Sequence, residues 1–305
     1  MMAVKADFSE LAGSLGAGRL RLAEPLAKHN SFKIGGPAEA MAFAHDEFEL
    51  MACLSFAKAH GLPVTLLAGG TNVLVRDGGI KGLVITLDGS FKDFYLEGTR
   101  VKAGAGMNLS LLARKTGLAG LKGLEWAIGI PGSLGGGLVM NAGAHGGEMK
   151  DVVTQVGGIE GGVLKQWPAS DCGFVYRNSR FKNSGIVLLW AEMQMQEAPV
   201  ADLKAAMDHA LDARKASQPL DLPNAGCVFK NPEGQSAGRL IEQAGLKGTR
   251  MGGAQISEKH ANFVVNTGGA SASDVLGLMA KARVAVKEKF GVDLMDEVLV
   301  LGEDA

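Results

Sequence analysis

Cysteine is scarce in this chain: Cys53, Cys172 and Cys227 lie far apart in 305 residues, with no C-x-x-C pair. That spacing argues against a disulfide framework and against a cysteine-built metal site. His29, His45, His60, His145 and His209 show no ligand spacing either, so no metal is expected. Long hydrophobic runs are missing too. Nothing approaches the ~18 apolar residues of a membrane span, so no membrane insertion is expected. The N-terminal stretch MMAVKADFSELAG carries Asp7 and Glu10 and has no apolar h-region, which reads as no signal peptide and a cytoplasmic protein. Nor is there an excess of positive charge. With 31 Lys+Arg against 32 Asp+Glu the formal net charge is −1, which excludes the broad electropositive surface of a nucleic-acid binder. Any anion must be held by a local cluster. No G-x-G-x-x-G follows the first strand and no G-x-x-x-x-G-K-[ST] occurs, which excludes an ordinary Rossmann site and a P-loop. Fixed-period repeats and low-complexity segments are absent as well.

What is present is ample apolar material, 47% of residues, in a length suited to about two domains. Helical periodicity is clearest over 47–61, ending on a Gly C-cap, over 201–217, and over 271–291 between N-capping serines and Gly291. Strand-like runs occupy 64–69, 82–87, 185–195 and 262–266. This mixture predicts an α/β or α+β fold. Composition shifts near Glu197-Ala198-Pro199, from glycine- and strand-rich to longer, more charged helices, and the domain boundary is expected there.

Glycine is the anomaly. The stretch from Gly123 to Gly147 holds nine glycines in 25 positions, where average usage of ~7% would give about two. A second cluster, LLAGGTNVLV (66–75), runs an apolar strand into Gly69-Gly70-Thr71-Asn72. Tight turns alone would explain an isolated pair. Two dense clusters and the Ala103-Gly104-Ala105-Gly106 step point instead to a backbone that a dinucleotide can approach closely.

NSFKIGGPA (30–38), LLAGGTNVLV (66–75), GLEWAIGIPGSLGGGLVMNAGAHG (123–146), YRNSRFK (176–182), PNAGCVFKNP (223–232), AGRLIEQAGLKG (237–248) and GGAQISEKHANF (252–263) follow in this order. Together they make a chain that resembles the UDP-N-acetylenolpyruvoylglucosamine reductase family, over about residues 30–302, in its shorter subtype. The resemblance implies an N-terminal segment (1–29), an FAD-binding domain of the PCMH type shared with vanillyl-alcohol oxidase-like flavoproteins (30–198) and a C-terminal α+β substrate-binding domain (199–302). It also implies non-covalent FAD lying against Gly69, Gly70, Thr71, Asn72 and Val73 of the first cluster. In the second cluster the implied contacts are Gly129, Ile130, Pro131, Gly132, Ser133 and Gly136, with Asn141 and Gly143.

By the same resemblance the reaction belongs to peptidoglycan synthesis. NADPH is the co-substrate, and hydride passes by way of flavin N5 to C3 of the enolpyruvyl group of UDP-N-acetylglucosamine enolpyruvate. The developing charge on the carboxylate then needs fixed donors, and C2 needs a proton. Three residues match the family's catalytic trio. Arg177 corresponds to the arginine that steadies the carboxylate, which suits a permanently charged fork. Glu297, in MDEVLVLG, corresponds to a glutamate that polarises or protonates the intermediate, although Met295, Asp296 and Leu299 depart from the commoner pattern. Cys227 stands where most members have the serine that protonates C2. As a bare residue it would read as a small buried apolar cysteine, the reading kept for Cys53 and Cys172. Tyr176, Lys215, Asn231 and His260 are the implied substrate contacts. Lys215 could equally be a solvated helix-end charge, and His260 a structural histidine. A monomer or weak oligomer is expected. Two rivals remain open: another FAD-dependent oxidase or dehydrogenase of the same fold, and a non-catalytic flavin- or sugar-nucleotide-binding protein.

Overall fold

The computed structural model describes residues 7–305, so residues 1–6 of the stretch read for a leader lie outside the described residues. Its helices are α1 (Ser9–Ser14), α2 (Glu47–Ala59), α3 (Leu109–Leu118), α4 (Leu134–Val139), α5 (Val200–Ser217), α6 (Ala237–Gln243) and α7 (Ala272–Phe290). Among the described residues, no helix is long and apolar enough to cross a membrane. The chain divides into two compact units. The first takes residues 39–68 and 81–211 with the N-terminal stretch to 24. The second takes 25–38, 69–80 and 212–305.

The first unit is built on two sheets. One is antiparallel, in the spatial order Val163–Pro168, Val153–Glu160, Val187–Gln194, Arg100–Gly104, Phe94–Glu97. Its inward residues, among them Val101, Ala103, Val156, Ala191 and Met193, form a core with Leu109, Leu112 and Leu138 of α3 and α4. The other runs Leu20–Pro25, Pro37–Ala44, Ile80–Leu87, Val64–Leu66, with the last pair parallel.

Helix α2 covers that second sheet. The Asp46 carboxylate caps it by accepting from the Glu49 N–H (2.9 Å), and Glu47 and Glu49 sit in the first turn, where the helix dipole favours negative charge. At its far end Leu62 N–H donates to Ala57 O (2.8 Å), with Gly61 left-handed (φ 61°). This paired closure is the one glycine makes cheap. Leu50, Cys53, Phe56 and Ala57 face inward on Ala40, Ala42, Leu83 and Ile85. The small alanines of the strand leave room for the helix.

The second unit packs α6 and α7 around a short antiparallel sheet, Arg250–Met251, Ala254–Ile256 and Val264–Asn266. Helix α7 carries a reciprocal capping box between Ser271 and Asp274 and ends on left-handed Gly291. Asp77, from the 69–80 segment, also accepts from the Ala272 and Ser273 N–H groups (2.8 and 3.1 Å). The same segment supplies Val73–Val75, which pairs in parallel with Leu299–Leu301. These bonds hold the glycine-rich 69–80 loop in the second unit.

The expected long helices and the strand cores are present. Three strands are shorter than their apolar runs, the 185–195 run being trimmed at both ends to Val187–Gln194. The 64–69 run stops at Leu66, before the Gly69-Gly70 bend, and the 262–266 run begins at Val264 because Asn262 spends its side chain on a neighbouring segment.

Candidate functional site

In the second unit, Cys227-Val228-Phe229 runs between two other segments. On one side Cys227 pairs with Phe263 in an isolated antiparallel bridge, and Val228 N–H donates to Asn262 O (2.8 Å). The Asn262 side chain clasps the next residue, accepting from Phe229 N–H at 3.0 Å and donating to Phe229 O at 2.8 Å. On the other side Glu297 N–H donates to Val228 O (2.9 Å), and Phe229 bridges Asp296. The strip continues into the glycine loop. Asn72 Nδ2 donates to Glu297 O (3.2 Å), and Leu299 N–H donates to Asn72 O (3.0 Å). Asn72, Cys227 and Glu297, read from three separate motifs, therefore sit on one hydrogen-bonded strip of backbone.

Cys227 is half-buried, whereas Cys53 and Cys172 are buried. Burial pushes the Cys53 thiol up to about 12 and the Cys172 thiol up to about 11, so both are inert at neutral pH. Sequence reading passes over Arg214. Its guanidinium is half-buried at the end of α5, burial lowers its pKa, and Cys227 is the group whose charge opposes that shift. Only its place one residue before Lys215 could have signalled it. Lys215 itself points outward, 69% exposed, with Asp212 3.4 Å away. It borders a groove of about 610 Å³ that Arg250, Gln255, Ser257 and Lys259 also line.

Asn231 Oδ1 accepts from Ala237 N–H (3.0 Å) at the start of α6. His260 stacks edge-on against Phe263 (4.9 Å between centroids), and its Nδ1 accepts from Asn262 N–H (3.2 Å). Burial holds its pKa below the ordinary 6.5, so the ring is neutral at pH 7.

In the first unit, Arg177 rides on a tight turn. Val175 and Asn178 exchange two backbone hydrogen bonds, each 3.1 Å, and Arg177 sits between them with φ 52°. A non-glycine residue held there costs on the order of 1–3 kcal/mol and persists only where its surroundings over-determine it. The guanidinium donates to Gly143 O (3.3 Å) and lies 5.2 Å from the centre of the Tyr176 ring. Tyr176 is 54% exposed at the tip of the turn. Arg177 and Tyr176 thus adjoin Gly143, and the glycine stretch and the YRNSRFK motif form one local assembly.

The glycines divide into two kinds. At Gly147 an added Cβ would lie 2.3 Å from the Trp126 ring, and at Gly70 (φ 59°) it would lie 2.2 Å from His29 O. There the chain itself demands glycine. Gly136 differs: it is exposed, and an added Cβ would meet only Ser133 Oγ, at 3.7 Å. No internal contact requires glycine at that position, and a bare backbone there suits close approach of a planar or diphosphate group. The N–H groups of Gly129, Ile130, Leu134, Gly135, Gly136 and Gly137 are all engaged within the first unit. At those six positions the stretch offers contact surface rather than free N–H donors. The residues fit a flavin dinucleotide on these terms.

Comparison with known proteins agrees with this geometry. Residues 38–160 match the profile described as FAD binding domain, so the class is an FAD-binding flavoprotein of mixed helix and strand. Residues 218–301 match the profile described as UDP-N-acetylenolpyruvoylglucosamine reductase, C-terminal domain. UDP-N-acetylenolpyruvoylglucosamine reductase 2 of Symbiobacterium thermophilum is 48% identical over 288 residues, 94% of each chain. The reductase of Clostridioides difficile is 43% identical over 287 residues, covering 93% of this chain and 94% of the other. The crystal structure of the reductase from Thermus caldophilus superimposes with a TM-score of 0.81 at 37% identity, covering 93% of this chain and 98% of that one. The chain belongs to the UDP-N-acetylenolpyruvoylglucosamine reductase family.

Proposed function

We propose that the chain reduces the enolpyruvyl ether of UDP-N-acetylglucosamine to UDP-N-acetylmuramate, the reductive step that completes this peptidoglycan precursor, in the cytoplasm and with NADPH as electron source. Bound FAD supplies the hydride chemistry. Cys227 delivers the proton to C2 from its thiol, a far stronger acid than the alcohol it replaces. Glu297 polarises the intermediate, and Arg177 holds the substrate carboxylate through its fixed fork of donors. Tyr176, Lys215, Asn231 and His260 are the proposed substrate contacts. Neutral His260 would offer Nε2–H as a donor, because Nδ1 already accepts from Asn262.

The observation that carries this reading is the shared strip of Cys227 and Glu297. Two candidate proton-handling groups from motifs 70 residues apart in sequence (227 and 297) are held in fixed register by the Glu297 N–H to Val228 O bond. A merely flavin-binding protein has no use for that register. The test is anaerobic absorption spectroscopy of the purified protein. NADPH should bleach the flavin band, and the enolpyruvyl substrate should restore it. A band that NADPH bleaches but only oxygen restores would overturn the proposal in favour of an oxidase.

A further inference from the structure

The Arg177 turn presents an arrangement that its catalytic reading does not use. Its tip is solvent-exposed at Tyr176, yet both anchors behind it are buried, Asn141 at 1% and Ser179 at 4% exposure. Asn141 Nδ2 donates to Val175 O (3.3 Å), the carbonyl that closes the turn, and to Glu148 Oε2 (2.5 Å). Its Oδ1 accepts from Lys150 N–H (3.0 Å). All the hydrogen-bonding directions of this amide that the chain uses are spent inside the first unit. Ser179 Oγ donates to Val139 O at the end of α4 (2.8 Å) and accepts from Phe181 N–H (3.3 Å). One anchor therefore grips the turn just before Arg177 and the other just after it. Both fasten it to the loop leaving the glycine-rich helix. Glu148 in turn is fixed by its own capping box with Asp151 and by the Gly143–Glu148 strand pairing.

We infer that Asn141 and Ser179 are positioning residues for Arg177: they tie its strained turn to the glycine-rich loop and so set where the guanidinium stands. This rests on the proposed carboxylate role of Arg177. It also gives Asn141 a different task from direct contact with FAD. An exposed turn with Arg177 at φ 52° would relax if released. A charged fork must be held within a fraction of an ångström of its working position to act on a developing carboxylate charge. The anchors supply that hold through bonds made within the first unit.

Asn141→Asp tests this with little change of shape. A carboxylate cannot donate to Val175 O and is repelled by Glu148, while an acidic residue still tolerates the positive φ at this position (41°). Ser179→Ala removes the second anchor independently, so the test survives if one variant folds poorly. Arg177→Ala is run alongside. The two half-reactions are followed separately by stopped-flow on the FAD-loaded protein. Ser179→Ala should retain FAD and keep the rate of flavin reduction by NADPH, and Asn141→Asp is followed in its FAD-bound fraction. Reoxidation by the enolpyruvyl substrate should slow roughly ten- to a hundredfold, in the direction of Arg177→Ala. If reoxidation slows in Arg177→Ala but not in either anchor variant, the inference fails and the arginine reading stands. If Arg177→Ala itself reoxidises normally, the underlying reading fails. Loss of FAD or equal slowing of both half-reactions in the anchor variants would assign them to the cofactor shell or the fold and overturn the inference.

Discussion

The Glu297 N–H donates to the carbonyl of Val228, 2.9 Å away and one residue past Cys227. That bond, with the Asn262 clasp on the opposite side of the same segment, fixes the backbone of the proposed proton donor before any substrate is bound.

The clasp is the first point to test. Asn262 is 2% exposed and satisfies both backbone groups of Phe229. Asn262→Ala should leave a buried N–H and a buried C=O without partners, costing roughly 2–4 kcal/mol. Urea unfolding should show a lower midpoint with an unchanged slope. A midpoint shift too small to resolve would mean that water or a backbone adjustment replaces the amide.

Much of the fold was legible where its causes are local. The capped, periodic segments α2 and α7 carry their own start and stop chemistry in Asp46, Ser271, Asp274 and Gly291. The membership of the 69–80 loop in the second unit was not legible. It depends on pairing Val73–Val75 with Leu299–Leu301 and on the Asn72–Glu297 bond across 225 positions, and no window of sequence contains both partners. Of the proposed functional residues, Arg177, Cys227 and Glu297 were named from their motifs. Asn141 could be named but not its inward orientation. Asn262 and Arg214 were missed because an asparagine that binds backbone and an arginine at a helix end leave no periodic or compositional mark.

The exposed face of Gly136 yields a prediction about the cofactor. Gly136→Val should lose FAD, because an added Cβ there meets only Ser133 Oγ, at 3.7 Å, and the branched side chain is expected to extend into the space proposed for the ligand. Gly13→Val, in α1 with nothing within 4 Å, is the matched control and should keep it. The reading is the yellow chromophore released into the supernatant on acid precipitation, which also checks that FAD is not covalently attached. A Gly136 variant that folds and releases a normal amount of FAD would remove this face from the cofactor site.

His260 gives a pH dependence. Burial lowers its pKa in the folded protein below the ordinary 6.5, so below that value the unfolded chain takes up a proton that the folded one resists. Its contribution to stability is complete above about pH 6.5 and is lost as pH falls toward the folded value. His260→Gln removes the titrating group while keeping a polar side chain. The drop in urea midpoint between about pH 7.5 and about pH 5.5 should be smaller in this variant than in the parent. An identical drop would show that other groups carry the acid sensitivity.

The central claim is that the Cys227 thiol protonates C2 of the reduced enolpyruvyl group, and stopped-flow separation of the half-reactions in Cys227→Ala tests it most directly. Flavin reduction by NADPH should be nearly intact, because that half needs no proton at C2, while reoxidation by the enolpyruvyl substrate should slow by about 10²–10⁴-fold. Cys227→Ser should recover much of the rate and lose the sensitivity to alkylation that the thiol confers. Normal reoxidation in the alanine variant, or equal slowing of both halves, would contradict the account.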